Sequence, residues 1–131
     1  MVIVFDVIKH FIKSELSPLV DEVQHVLEPD GRWVIHARNG ESPFGNRVRF
    51  GGYTHEQVLT RTSLGQLLVT GSFSRVEAYE DHPIPHGFNS TVRAVLWQLI
   101  LAALLFYIAV ETGSLVRRAV CTQNLLAVAH K

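Results

Sequence analysis

At 131 residues, with twelve basic and twelve acidic side chains, the chain is one domain at most, long enough to bury a core and formally uncharged at pH 7. That balance, with no basic run, excludes broad attraction to nucleic acid, so no nucleic-acid partner is expected. The single cysteine, Cys121, excludes an internal disulfide and makes a reducing, cytoplasmic location the expectation.

The opening residues Val2-Ile3-Val4-Phe5 form an apolar, β-branched run that reads as a strand, reaching Asp6 with no basic-then-apolar leader before it. Asp6-Val7-Ile8-Lys9-His10-Phe11 leaves that strand. Leu19, Val20, Val23, Val26 and Leu27 then fall on one face of a helix. Pro29 cannot continue it, and Asp30-Gly31 supplies a turn. Trp33, Val34 and Ile35 follow as a strand, running to Ala37, whose unbroken apolar run predicts burial on both faces. Strand, turn, helix, turn, strand is an α/β crossover with parallel strands.

A loop from Arg38 to His55 follows, dense in Gly, Asn, Ser and Pro. It leaves the carboxyl end of a parallel strand, where open α/β sheets bind ligands, which favours function over a plain surface loop. Thr60 to Leu68 starts as a capped helix that Gly71 ends, and Ser74 to Tyr79 reads as a strand. Glu80 to Gly87 is non-helical because Pro83, Pro85 and Gly87 lie in it. His82 and His86 have the four-residue spacing of a helical metal chelate, but the prolines remove the helix, so no metal is expected.

Asn89-Ser90-Thr91 precedes a helix from Val92 to Glu111, the most apolar segment. Its apolar run only just reaches the roughly 17–25 residues that a membrane span needs. A helix buried against the sheet or in a dimer seam is therefore favoured over a spanning one. A helix lying on a membrane surface needs a charged face, and none is evident. Ala119 to Ala129 closes the chain as a strand, with Cys121 packed as a small apolar residue.

Several phrases in this order resemble class I S-adenosylmethionine-dependent methyltransferases. Asp6-Val7-Ile8-Lys9-His10-Phe11 is similar to the end of that family's fourth strand, with Lys9 where the family usually has Glu. Leu27-Glu28-Pro29-Asp30-Gly31-Arg32 is similar to the turn into its fifth strand, with Asp30 in place of a Gly. Glu80 to Gly87, and Thr122 to Lys131, resemble phrases found near the end of such proteins.

The resemblance covers the C-terminal half of that family's catalytic domain. It implies an α/β fold: a partial Rossmann-like sheet of about four strands with helices, the last strand antiparallel and hairpinned into the sheet edge. The N-terminal strands are expected to be missing. The whole of 1–131 is then one C-terminal part-domain with a helical insertion at about 90–112. The implied cofactor is S-adenosyl-L-methionine, with Asp6, Val7, Ile8 and Phe11 beneath its methionine end and His10 as acceptor base. Asn39, Tyr53, His55 and His86 are the implied contacts to a small-molecule or saccharide acceptor. No glycine-rich strand turn is present, since Gly45, Gly51 and Gly52 lie in the polar loop. The chain is therefore expected to be inactive alone. The exposed edge of its first strand implies a homodimer, or a separate N-terminal half, as partner. The alternative is a small membrane-associated or interaction protein anchored by the helix at 92–110.

Overall fold

The computed structural model describes residues 1–43, 52–82, 84–114 and 120–131. Within these, four strands make one sheet: β1 (Val2–Phe5), β2 (Arg32–Arg38), β3 (Arg75–Glu80) and β4 (Asn124–His130). Their spatial order is β1-β2-β4-β3. β1 and β2 run parallel, from Val2 opposite Trp33 to Phe5 opposite His36. β4 runs antiparallel to both of its neighbours, β2 and β3. Three α-helices accompany the sheet: α1 (Lys13–Val26), α2 (Arg61–Thr70) and α3 (Phe88–Thr112). The α/β class and the antiparallel last strand match expectation.

Periodicity explains where the core sits. Trp33, Ile35 and Ala37 of β2 are buried, as are Leu125, Ala127 and Ala129 of β4, and the register pairs these two rows on one face. Leu16, Val20 and Val23 of α1 and Leu64 and Leu68 of α2 complete the same cluster. The residues between them, Val34, His36 and Arg38, are only half-buried, so β2 is covered on one face, not two as its apolar run implied. Two-sided burial needs helices on both faces; the described helices α1 and α2 pack on one.

Local chemistry sets the junctions. The Ile12 amide donates to Glu15 Oε2 at 3.0 Å, closing the start of α1. At its other end, Lys131 Nζ donates to the carbonyls of Gln24 and Leu27 at 2.7 and 2.6 Å. A cation there satisfies end-of-helix carbonyls and opposes the helix dipole. Asp30 takes φ 60, and a Cβ on Gly31 would lie 2.6 Å from the Glu28 carbonyl oxygen, so the Asp-Gly turn is sterically specified. Thr60 and Ser63 cap α2 reciprocally: the Ser63 amide donates to Thr60 Oγ1 at 3.0 Å, and the Thr60 amide to Ser63 Oγ at 2.9 Å.

Three further expectations are corrected. β4 is not at the sheet edge: it lies between β2 and β3, and β1 and β3 are the edges. It begins at Asn124, because Val120 and Thr122 spend their carbonyls on the Asn39 side chain before the ladder starts; Ala119 lies outside the described residues. α3 begins four residues early, at Phe88, with Ser90 Oγ donating to the Gly87 carbonyl at 3.0 Å. No residue of α3 is buried, so it is not a core helix. Gly45 and Gly51 of the long loop, and Pro83, lie outside the described residues.

Gly71, just past the end of α2, lies close against α1, since a Cβ there would stand 2.2 Å from Val20 Cγ1. Gly71→Ala is expected to destabilise the chain by about 1–3 kcal/mol through overpacking. Combined with Val20→Ala it should cost less than the sum of the two single changes, because Val20→Ala makes room. Urea denaturation of the three variants checks this. An additive double variant would show that the two residues do not meet.

Candidate functional site

The carboxyl ends of β1, β2 and β3 meet at one end of the sheet, because all three run the same way and β4 enters there. Asp6 follows β1 directly. Its φ of 56 turns the chain sharply, while its amide still donates to the His36 carbonyl at 3.0 Å. Its Oδ1 stands 3.7 Å from Lys9 Nζ, 3.6 Å from His36 Nδ1 and 3.8 Å from Arg38 Nε. His36 Nε2 is 3.5 Å from Asp81 Oδ2, so this imidazole stands between two carboxylates. Asn124 links the row by accepting from Arg38 at 2.8 Å and donating to Asp81 at 3.3 Å. Phe5 stacks on the His36 ring with centroids 5.0 Å apart.

Asp6 Oδ1, His36 Nδ1 and Arg38 Nε are buried atoms with no hydrogen-bond partner, since their mutual distances exceed bonding range. Buried polar atoms are ordinarily satisfied, so three left together at the strand ends mark a place suited to a polar ligand. Of the four implied cofactor residues, Asp6 belongs to this cluster, and Val7 is half-exposed beside it. Ile8 is buried in the core and Phe11 packs against that core, so both hold the turn from beneath. His36, Arg38, Asp81 and Asn124 were not foreseen. Polar residues at alternate positions of β2, opposite Trp33, Ile35 and Ala37, were the signal that could have shown the first two.

The 3-10 turn Ile8–His10 carries the implied base. His10 Nδ1 is 3.0 Å from the Thr54 carbonyl, and its ring meets His55 edge-on at 5.5 Å. The amides of Glu56 and Gln57 both donate to the Lys9 carbonyl, tying the second part of the loop to this turn. His10 and His55 are thus brought together, with Tyr53 fully exposed on the same loop. His86 is not brought to that pair: it lies before α3, with its amide donating to Ser90 Oγ. Asn39 is fully buried, and its side chain is occupied by the fold, donating to the Val120 and Thr122 carbonyls and accepting from the Glu41 amide at 2.9 Å.

A cleft of about 490 Å³ opens beside the site. Asp81, Thr122 and Asn124 give it a polar wall, and Trp97, Ile100 and Leu104 of α3 an apolar one. Cys121 borders it, with its amide held by Glu80 Oε1 at 2.9 Å. Burial, then the nearby charges of Glu80 and Glu41, push the Cys121 thiol above its ordinary value. A raised value keeps the thiol protonated at neutral pH and therefore a poor nucleophile. At the other end of the strands, Glu77 lies beside Arg75 and His130. Burial raises its carboxyl, but hydrogen bonds from Tyr79 and Arg75 and the Arg75 charge outweigh that and hold it below the usual range.

The thiol supplies a check on this geometry. Iodoacetamide is expected to modify native Cys121 at pH 7.5 at least roughly tenfold more slowly than the urea-unfolded chain, from protonation and burial together. Equal rates in the two states would mean that the Val120–Thr122 segment is not seated against Asn39 and Glu80.

No family model matches this sequence, and no curated protein matches it. Among solved structures, the chain is similar to a SAM dependent methyltransferase from Archaeoglobus fulgidus, with a TM-score of 0.67 over 98% of this chain at 15% identity. The match covers 57% of that protein, so the chain spans just over half of its length, and at this identity the likeness establishes a shared fold.

Proposed function

We propose that the chain is the C-terminal part of an S-adenosylmethionine-dependent methyltransferase domain, acting on a small-molecule or saccharide acceptor once a cofactor-gripping half joins it. The observation that carries this reading is the sheet order β1-β2-β4-β3 with β4 antiparallel, in a chain that superposes almost entirely on a methyltransferase. The partnerless polar atoms of Asp6, His36 and Arg38 at the strand ends support it.

The residues present fit one wall of a cofactor site. The turn at Asp6-Val7 offers backbone and carboxylate, with Ile8 and Phe11 holding it in shape. Lys9 and Arg38 supply positive charge beside it, suited to a carboxylate. The cofactor supplies an electrophilic methyl carbon on a sulfonium. The chain's own contribution is then orientation, the main task in such a displacement. His10 is the group placed to take the acceptor's proton, held by the Thr54 carbonyl so that its other nitrogen is available. Tyr53 and His55 contact the acceptor from the loop, while Asn39 positions the Val120–Thr122 border. A reducing, cytoplasmic setting suits the lone thiol. The exposed edge of β1 is where the missing strands, or a second copy, would pair.

The test is titration of the isotope-labelled full chain with S-adenosylhomocysteine, followed by nuclear magnetic resonance. Amide shifts confined to Asp6–His10 and the ends of β2 are expected, with Kd about 1 mM or weaker because only one wall is present. Shifts elsewhere, or none at these amides, would refute the site. Micromolar binding by the chain alone would refute its incompleteness.

A further inference from the structure

We infer that α3 lies in the plane of a membrane, sunk into one leaflet, with its own domain standing where the polar face of an interfacial helix would be. The inference rests on the helix and its connections and is independent of methyl transfer.

α3 is 25 residues long, or roughly 37 Å at the helical rise, with a mean hydropathy of 2.1 over its most apolar window and none of that window buried. An all-round apolar helix belongs in a core or in lipid, and the core is excluded here. The two sides of the helix differ. Trp97, Leu101, Leu104, Leu105 and Ile108 are half-covered, with Leu101 and Leu105 facing β3 and Trp97 and Leu104 facing the Pro43 and Gln123 segments. The opposite side presents Val95, Leu99, Phe106 and Val110 at 56, 64, 72 and 69% exposure. No charged residue lies between Arg93 and Glu111.

Connectivity decides between spanning and lying flat. β3 precedes α3 and β4 follows it, yet these strands pair along six residues, from Arg75 opposite His130 to Glu80 opposite Leu125. One crossing would put them on opposite sides of the bilayer. The chain would have to return between Gly113 and Val120, whose carbonyl is already fixed to Asn39 at the end of the sheet. That interval spans at most about 25 Å fully extended, against a hydrocarbon core of about 30 Å. It also contains Arg117 and Arg118, and an extended backbone has no hydrogen-bond partners in lipid. A single span is therefore incompatible with the sheet.

A second copy of the chain is a poorer occupant than lipid. The exposed side from Val95 to Val110 offers Gln98 and the Tyr107 hydroxyl as its only polar side-chain groups, too few to fix the register of a protein interface, whereas a leaflet requires no register.

Flotation of the purified full chain with phosphatidylcholine–phosphatidylglycerol vesicles tests this. The chain is expected to float, and the double variant Leu99→Glu, Phe106→Glu to lose at least about tenfold in bound fraction. Both should give the same circular dichroism and Cys121 protection, since neither residue is in the core. In the single variant Phe106→Trp, the added fluorescence should be quenched most by lipids brominated near the headgroup end of the acyl chain. A chain that stays in the aqueous layer overturns the inference, including one that forms a dimer which the glutamate pair splits. Unchanged flotation of the glutamate variant overturns it too, and a quenching maximum at the bilayer centre would restore the spanning reading.

Discussion

The placement of β4 governs the rest of the molecule. It is the last strand in sequence, yet it lies between β2 and β3, pairing along seven residues with one and six with the other. Without it, β3 has no neighbour and the sheet reduces to the β1–β2 pair, too small to be stable alone. Its core-facing residues are Leu125, Ala127 and Ala129, all fully buried, and the two alanines face Ile35 and Trp33 across the ladder. Small residues there leave space for the indole and for the helices above it, a close-packing requirement that larger side chains would violate. β4 also fixes the segments at its ends. Lys131 reaches the last carbonyls of α1, and Thr122 and Val120 are held by Asn39. A strand at the chain terminus therefore closes the fold, forms part of the candidate site and limits where α3 can go.

The sheet is also one-sided. α1 and α2 cover the face carrying Trp33 and Leu125, while Ile3, Phe5 and Tyr79 of the other face are 53, 61 and 48% exposed. A parallel pair of strands with one bare apolar face is unusual, because crossovers normally place helices on both sides. His36 and Arg38 project on this face beside Asp6, which is why a buried polar cluster remains incompletely bonded. The ion pairs there, at 3.6–3.8 Å and partly exposed, contribute little to stability. Their arrangement concerns recognition more than folding. Among the described residues, both this face and the outer edge of β1 are left uncovered.

Much of this was legible in the residues because the relevant signals are local. Apolar spacing on α1, the Pro29-Asp30-Gly31 stop and the Thr60 cap each follow from short-range sterics and hydrogen bonding, although Val26, expected on the apolar face of α1, is 59% exposed. What escaped depends on distant partners. Whether Val34 is covered depends on helices packed over it, not on its neighbours in sequence. Whether β4 sits at an edge or in the interior depends on which strand it pairs with twice. In the candidate site, His10 and His55 were individually visible, but their contact requires the loop to fold back onto the Lys9 carbonyl. Asn39 shows the converse. A polar residue after a strand looks like a ligand contact until the chain 81 positions later is seen to consume its amide.

The long apolar helix makes the same point about evidence of different range. Its composition alone allows a core helix, a span or a surface helix, and at 25 residues it is long enough for any of them. Its exposure removes the first, because a helix with no buried residue cannot be core. The pairing of β3 with β4 removes the second, because strands that share a ladder must share a compartment. The objection to the third was the lack of a charged face on the helix. That objection assumes an isolated helix in contact with water on one side. Here β3 and the Pro43 and Gln123 segments face that side across two clefts, so in the arrangement we propose the folded domain would supply the polar half of the amphipathic surface and α3 the apolar half. Amphipathicity in this molecule is a property of the helix together with the sheet edge beside it, which is why a hydrophobic pattern read along α3 alone does not reveal it.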